Sequence, residues 1–266
     1  MATKRTDQPR GVLNAGRTHS HHVRLLPSAG IDFYIEHYWI VWWDLRGQQP
    51  QVAETLPHPT IHVVIEKNRS KIYGIPNGKF RRRIAGKGRV FGIKFRPGTF
   101  YPLLGQPVTR ITDRLISLRE VFGTKAVRFV SKILAEEDEQ ICVEIAEDYL
   151  GSILPEPDPE IALVRDLAEQ IARDSSITHV EQVARLARLN PRMLQRMFSQ
   201  YVGVSPKWVI KRYRLHEAAE QLAAPGEIRL GQLAARLGYF DQAHFIRDFK
   251  SVVGKAPGEY VRDLKG

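Results

Sequence analysis

The pattern of apolar and polar positions changes character twice along the chain. From Ile31 to Leu118 the apolar residues come in short branched and aromatic runs. The strongest are Tyr38-Trp39-Ile40-Val41-Trp42-Trp43, Ile61-His62-Val63-Val64-Ile65 and Arg89-Val90-Phe91-Gly92-Ile93-Lys94-Phe95. Gly47, Pro57, Pro59, Gly74, Pro76-Asn77-Gly78, Gly86, Gly88 and Pro97-Gly98 punctuate them. Such runs between turn residues predict strands of a mainly antiparallel sheet or barrel. From about Leu118 to Leu154 the period becomes helical, with Val127, Val130, Ile133 and Leu134 on the repeat. Pro155-Glu156-Pro157-Asp158-Pro159 ends that stretch, since closely spaced prolines stop a helix and favour a stiff, extended connector. The remainder is helical throughout. The predicted class is α+β. A polar, flexible tail over 1–24 precedes a β-rich, barrel-like region over 25–117. A helical connector and Pro-rich linker follow over 118–158, then an all-α region over 159–266.

The all-α region repeats itself at a spacing of about fifty residues. Leu194, Arg196, Phe198, Gly203 and Pro206 recur 51 positions later as Phe245, Arg247, Phe249, Gly254 and Pro257. Ala184 recurs as Ala234 only 50 positions later, so the turn of the second copy is longer. Each copy predicts a short helix, a tight turn and a second helix. Small Ala184 and Ala234 let the two helices approach. Asn190 and Asp241 stand at N-cap positions, with Pro191 at the first helical position of the first copy. Leu194 and Phe198, like Phe245 and Phe249, are four apart and bury one face. Gly203 and Gly254 end the second helices. This is the helix-turn-helix pattern, in which the second helix enters the major groove of DNA. Its outer face carries Arg192, Gln195 and Arg196 in the first copy. In the second it carries Gln242, His244 and Arg247, with Ala243 and Ile246 placed to touch a thymine methyl. Arg and Gln pair with guanine and adenine edges, so these are candidate base readers. Pro206 to Leu222 predicts one long helix that separates the two heads. Lys207, Lys211 and Arg212 on it, together with Lys250, are candidate phosphate contacts.

Several motifs carry a family resemblance: Leu194-Gln195-Arg196-Met197-Phe198, Gly203-Val204-Ser205-Pro206, Arg214-Leu215 and Gly254-Lys255-Ala256-Pro257-Gly258-Glu259-Tyr260. Through them residues from about Ile161 to Tyr260 resemble the DNA-binding domain of AraC/XylS-type bacterial transcription regulators. The resemblance implies two helices reading adjacent major grooves of double-stranded DNA. It places base contacts at Arg192, Gln195 and Arg196, and at Gln242, Ala243, His244 and Arg247. It also implies a cytoplasmic protein, contact with RNA polymerase if the protein is an activator, and a homodimer by family habit. Tyr38-Trp39, Leu56-Pro57-His58-Pro59 and Gly92-Ile93-Lys94-Phe95-Arg96-Pro97-Gly98 resemble a β-rich domain that precedes this module in some such regulators. The wider family implies an effector-binding or dimerising role for it.

Charge adds one question. The 266 residues carry a net charge of +11, yet residues 1–159 contribute +6 and residues 160–266 only +5. The surplus therefore marks no single DNA face. It is densest from Lys67 to Arg96, where eleven basic residues meet no acidic one. Arg81, Arg82, Arg83, Lys87 and Arg89 are accordingly candidate contacts for a small anionic effector, such as a nucleotide or sugar phosphate. Seven acidic residues run from Glu136 to Asp148 and are expected to pack near them or to keep the segment off DNA. A single cysteine, Cys142, excludes an intrachain disulfide and the cysteine cluster of a DNA-alkylation repair enzyme with the same tandem module. No nucleophile elbow, paired-carboxylate site or phosphate-binding Gly loop is present, so a hydrolase is disfavoured and the chain is not read as an enzyme. His19, His21 and His22 lack metal ligands at matching spacing. No cofactor or membrane span is expected. Asp32, Glu36, His37, Glu54, His58 and His62 would matter for chemistry only if the fold brought them together. A regulator that binds a protein partner instead of an effector is the third reading.

Overall fold

The computed structural model describes residues 11–13, 19–226 and 228–265. Strands β1 (Ser20–Leu25), β2 (Ile35–Leu45), β7 (Gly86–Phe95), β4 (His62–Glu66), β5 (Lys71–Tyr73) and β8 (Leu115–Ile116) form one antiparallel sheet in that spatial order. β3 (Gln51–Thr55) and β6 (Phe80–Ile84) form a second, two-stranded sheet. The period-two alternation of β2 decides what each face buries. Tyr38 and Ile40 join the main core with Ile35, Phe91, Ile93 and Phe95. Trp39, Val41 and Trp43 face the other way, toward Val64, Ile84 and Val90. Register explains two glycines on the neighbouring strand. Trp39 lies opposite Gly92 and Trp43 opposite Gly88. A Cβ at Gly92 would fall 1.9 Å from the Trp39 ring, and one at Gly88 2.3 Å from the Trp43 ring. The indoles lie flat over bare backbone, which any side chain there would displace.

Two expectations are corrected. Ser20 to Arg24, placed in the tail, belong to the edge strand Ser20–Leu25, which pairs along its length with β2. Leu13 is also tied in: its N–H donates to the Glu54 carbonyl at 2.9 Å and its side chain is buried. Residues 1–10 and 14–18 of that tail lie outside the described residues. The connector is not one helical stretch but three helices, α2 (Leu118–Phe122), α3 (Lys125–Ala135) and α4 (Glu139–Gly151), after a single turn α1 (Tyr101–Leu104). Gly123 closes α2, and Asp138 caps α4 by accepting from the N–H groups of Gln140 and Ile141. On α3 the buried stripe is Ala126, Phe129 and Ile133. Val127 and Leu134 point to solvent. Of the expected repeat, Val130 and Ile133 do face the core, and only Val127 and Leu134 fall on the solvent side.

Beyond the Pro-rich segment lie α5 (Pro159–Arg173), α6 (Val180–Ala187), α7 (Pro191–Met197) with a π turn over Phe198–Val202, α8 (Pro206–Ala223), α9 (Leu230–Arg236), α10 (Gln242–Val253) and α11 (Pro257–Lys265). The core is not divided at Pro159. One cluster runs from Ile35 and Phe95 through Phe129 and Cys142 to Val164, Leu194, Phe198 and Val209. Polar contacts cross the same boundary. Arg96 pairs with Glu169 at 2.5 Å, Gln200 Nε2 donates to the Tyr101 hydroxyl at 3.1 Å, and Thr112 Oγ1 donates to the Gly203 carbonyl at 2.7 Å.

The two-sheet unit also encloses a polar group of residues. Register sets Lys94 opposite both His37 and His62. Lys94 Nζ donates to Glu36 Oε1 at 2.8 Å, and His37 Nδ1 lies 3.5 Å from the same oxygen. Burial pushes the Glu36 carboxyl up, but Lys94 and His37 more than offset this and hold it well below the usual carboxylate range. Trp39 donates to His62 Nδ1 at 3.2 Å, which leaves the ring proton on Nε2, 3.2 Å from Thr60 Oγ1. Burial, aided by Lys94, pushes His62 down to about 3. The folded protein therefore refuses a proton that the unfolded chain accepts near the usual histidine value of about 6.5. Stability is intact above that value and declines as pH falls from there toward 3. Thermal unfolding of the full chain between pH 7 and pH 4 should show a falling midpoint, with a shallower fall in His62→Gln. Parallel curves for the two proteins would contradict the assignment.

Candidate nucleic-acid interface

The two helix pairs are built by short-range rules. Gln182 Oε1 accepts from the N–H groups of Thr178 and His179, both at 2.8 Å, and so starts α6. The turn after α6 passes through Arg188 at φ 53°, and Leu189 N–H returns to the Ala184 carbonyl at 3.0 Å. Asn190 Oδ1 then accepts from Met193 N–H at 2.8 Å and caps α7. In the second pair Gly238 takes the left-handed position at φ 68°, and Tyr239 N–H returns to Ala234 at 2.9 Å. A Cβ at Gly238 would also lie 2.5 Å from the Arg214 guanidinium. Asp241 accepts from His244 N–H at 2.6 Å and caps α10. Leu194, Phe198, Phe245 and Phe249 are fully buried. That burial turns the opposite faces of α7 and α10 outward. Arg192, Gln195 and Arg196 are exposed on the first. Gln242, Ala243, His244 and Arg247 are exposed on the second. Ile246 is half-buried against the core of the second pair.

Helix α8 belongs to both cores. Val209, Ile210 and Tyr213 pack in the cluster of the first head. Leu215, Ala218, Ala219 and Leu222 pack in that of the second, with Leu233, Phe245 and Phe249. Its 18 residues span about 27 Å at 1.5 Å per residue. Of the predicted phosphate contacts, Lys207 and Lys250 are exposed. Lys211 pairs with Asp248 of α10 at 2.7 Å. Arg212 is corrected. It is 2% exposed, its guanidinium lies 4.4 Å over the Trp208 ring, and it donates to the carbonyls of Asn77 and Gly78. Burial pushes it down to about 10. It clamps α8 to the β5–β6 turn and offers nothing to a phosphate. The signal was present in the sequence: Val209, Arg212, Tyr213 and His216 share one helical face, three and four residues apart. His216 also faces the β region, stacked on His58 at 4.2 Å with Nε2 3.3 Å from the Pro57 carbonyl.

The predicted effector residues do not converge. Arg81 and Arg83 face outward on β6, and Arg81 pairs with Glu54 at 2.8 Å. Arg82 points inward to Glu66 and lies 5.7 Å over the Trp43 ring. Arg89 reaches the acidic run through backbone, donating to the carbonyls of Glu136 and Glu137. Lys87 is exposed. The six scattered titratable groups also part company. Glu36, His37 and His62 meet inside the sheets, Glu54 is paired with Lys79 and Arg81, His58 stands against α8, and Asp32 lies apart, its backbone carbonyl accepting from Arg96. A cavity of about 230 Å³ lies elsewhere, lined by Leu104, Arg110, Ile111, Arg114, Glu120 and Val121 among others.

Each half of the chain matches a known family. Residues 183–263 match the family described as a helix-turn-helix domain, and residues 23–117 match a domain of unknown function, DUF6597. A transcriptional regulator of helix-turn-helix type from Haemophilus influenzae is 34% identical over 86 residues, covering 32% of this chain and 28% of that protein. The Escherichia coli regulator YidL is 26% identical over 164 residues, 60% of this chain and 51% of its own length. The XylDLEGF operon transcriptional activator 1 of Pseudomonas putida is 28% identical over 105 residues, 39% and 31% respectively. The chain spans about half or less of the length of these relatives. The C-terminal region is a DNA-binding module of tandem helix-turn-helix class. More narrowly it is an AraC/XylS-type helix-turn-helix domain, and the region ahead of it is a DUF6597 domain.

The phosphate assignments separate in a salt titration. Lys207→Ala and Lys250→Ala should each lower the slope of log binding constant against log salt by about one. Arg212→Ala should leave that slope unchanged and lower the unfolding temperature, because two carbonyls lose their donor. A smaller slope for Arg212→Ala at wild-type stability would restore it as a phosphate contact.

Proposed function

We propose that this protein is a sequence-specific transcriptional regulator. Its two exposed helices, α7 and α10, read neighbouring major grooves of double-stranded DNA. The observation that carries the reading is the pair of outward faces with reader-type side chains, each set by a buried i, i+4 aromatic or aliphatic pair. Arg192, Gln195 and Arg196 read one element, and Gln242, Ala243, His244 and Arg247 read the other. Lys207 and Lys250 supply sequence-independent attraction to phosphates. Activation through RNA polymerase, a cytoplasmic location and a homodimer follow the same analogy with AraC/XylS-type regulators. Among the described residues no helix is long and apolar enough to cross a membrane.

The effector seat is better supported at the 230 Å³ cavity than at Arg81–Arg89. Arg110 and Arg114 line it with apolar Leu104, Ile111 and Val121 and one acid, Glu120, a net positive combination suited to an amphipathic organic anion. The segment from Val108 to Arg114 that carries both arginines touches the end of the first reading helix. Thr112 Oγ1 holds the Gly203 carbonyl at 2.7 Å, and Val108 packs at Gly203. A ligand in the cavity would thereby act on how the β region seats against the rigid pair of heads.

Selection of bound DNA from a random pool by the full chain should return one motif. Gln195→Ala and His244→Ala should each relax it at different positions, by about 1–3 kcal/mol for each base pair no longer read. Unchanged specificity in both variants would refute the reading. Thermal-shift measurements with organic carboxylates, phosphates and their neutral amides should give stabilisation by anions that Arg110→Ala and Arg114→Ala remove. Stabilisation by neutral compounds alone would move the effector site elsewhere.

A further inference from the structure

The two turns differ by one residue when their hydrogen bonds are superposed. In the first copy Leu189 N–H closes on Ala184, and Asn190 follows directly as the cap of α7. In the second copy Tyr239 N–H closes on Ala234, but the cap of α10 is Asp241. The offset between the copies grows from 50 to 51 at this point, so Phe240 is the added residue. It has no counterpart in the first head. Its side chain is 95% exposed, while Tyr239 before it is buried and Asp241 after it is engaged in capping. Val127, the next most exposed large apolar residue, is 65% exposed.

The turn that presents Phe240 is rigidly tied. Arg214 donates to the Gly238 carbonyl at 2.8 Å and lies 5.0 Å over the Tyr239 ring. The His244 ring stands edge-on to Tyr239 at 5.3 Å. Phe240 therefore projects from a fixed loop at the N-terminal end of the second reading helix, beside Gln242, Ala243 and His244. An aromatic ring held in water contributes nothing to the fold. Its immediate neighbours Asp241, Gln242, Ala243 and His244 are exposed and mostly polar, which is unlike the apolar surround of a protein-docking hot spot. It does suit a DNA groove edge. The major groove offers one apolar group for such a ring, the C5-methyl of thymine.

We propose that Phe240 is a specificity-determining residue that packs its ring on a thymine methyl at the edge of the second recognised element. This deepens the DNA-reading proposal and rests on it. The looped-out residue gives the second head an apolar contact that the first lacks, so the two heads prefer different base patterns.

The test uses the full chain and the duplex obtained by DNA selection. Each thymine of the second element is replaced singly by uracil, which lacks only the methyl. Wild-type protein should lose about fourfold in affinity at one thymine or two adjacent ones, the factor expected for one methyl-sized apolar contact. Phe240→Ala should bind the unmodified duplex at least that much more weakly. It should show no further loss at the same uracil, and its unfolding temperature should match wild type. Equal affinity of Phe240→Ala and wild type for the unmodified duplex would overturn the proposal. So would an undiminished uracil penalty in the variant, or a selected second element without thymine. Failure of wild type to select any sequence would instead overturn the DNA-reading proposal, and this one with it.

Discussion

Helix α8 is the constraint on which the rest of the molecule depends. One side of its N-terminal half completes the core of the first helix pair, and its C-terminal half completes that of the second. Both cores are built on it, so the exposed helices α7 and α10 are carried on one continuous helix. A rigid connector of about 27 Å is comparable with the ~34 Å turn of B-DNA, which is what two heads in neighbouring grooves require. The third face of α8 is not free either. Arg212, Tyr213 and His216 turn toward the β region, where Arg212 takes the carbonyls of Asn77 and Gly78. The β region is thus bolted to the element that sets the spacing of the heads.

That attachment gives the DUF6597 domain a physical means of influence. Its sheet is stiffened by Trp39 and Trp43 lying over Gly92 and Gly88, and by the Lys94–Glu36 pair inside. A stiff unit transmits displacement where a soft one would absorb it. Its contacts with the helix-turn-helix module include Arg96 on Glu169 of α5, Thr112 on Gly203 after the π turn, and the Asn77–Gly78 turn on α8. The cavity beside Arg110 and Arg114, proposed above as the effector seat, adjoins the Thr112–Gly203 contact.

Much of this was legible in the sequence because it follows from local rules. Asn190 and Asp241 announce caps, Gly203 and Gly254 announce helix ends, and the i, i+4 pairs announce which face is buried. The fifty-residue repeat turns these local signals into a fold. What was missed depends on partners distant in sequence. A basic run such as Arg81-Arg82-Arg83 looks like one cluster, but strand periodicity sends Arg82 to Glu66 and its neighbours outward. Arg212 reads as a surface cation until the turn at Asn77 is brought against it, 135 residues away. His37, His62 and Lys94 meet only through antiparallel register. On α3, whether Val127 and Leu134 or Ala126 and Phe129 join Val130 and Ile133 at the core is settled by what the helix packs against, not by its period.

Helix α8 holding two DNA-reading helices at one fixed separation is the claim on which everything else turns. Affinity for duplexes in which the spacer between the two recognised elements is lengthened by one, five or ten base pairs tests it most directly. A rigid connector predicts binding through both heads only at the native spacing. Every insertion, including the full helical turn of ten, should reduce affinity toward that of a single element. Tolerance of one and five base pairs, or recovery at ten, would contradict the claim, since either requires heads that move independently.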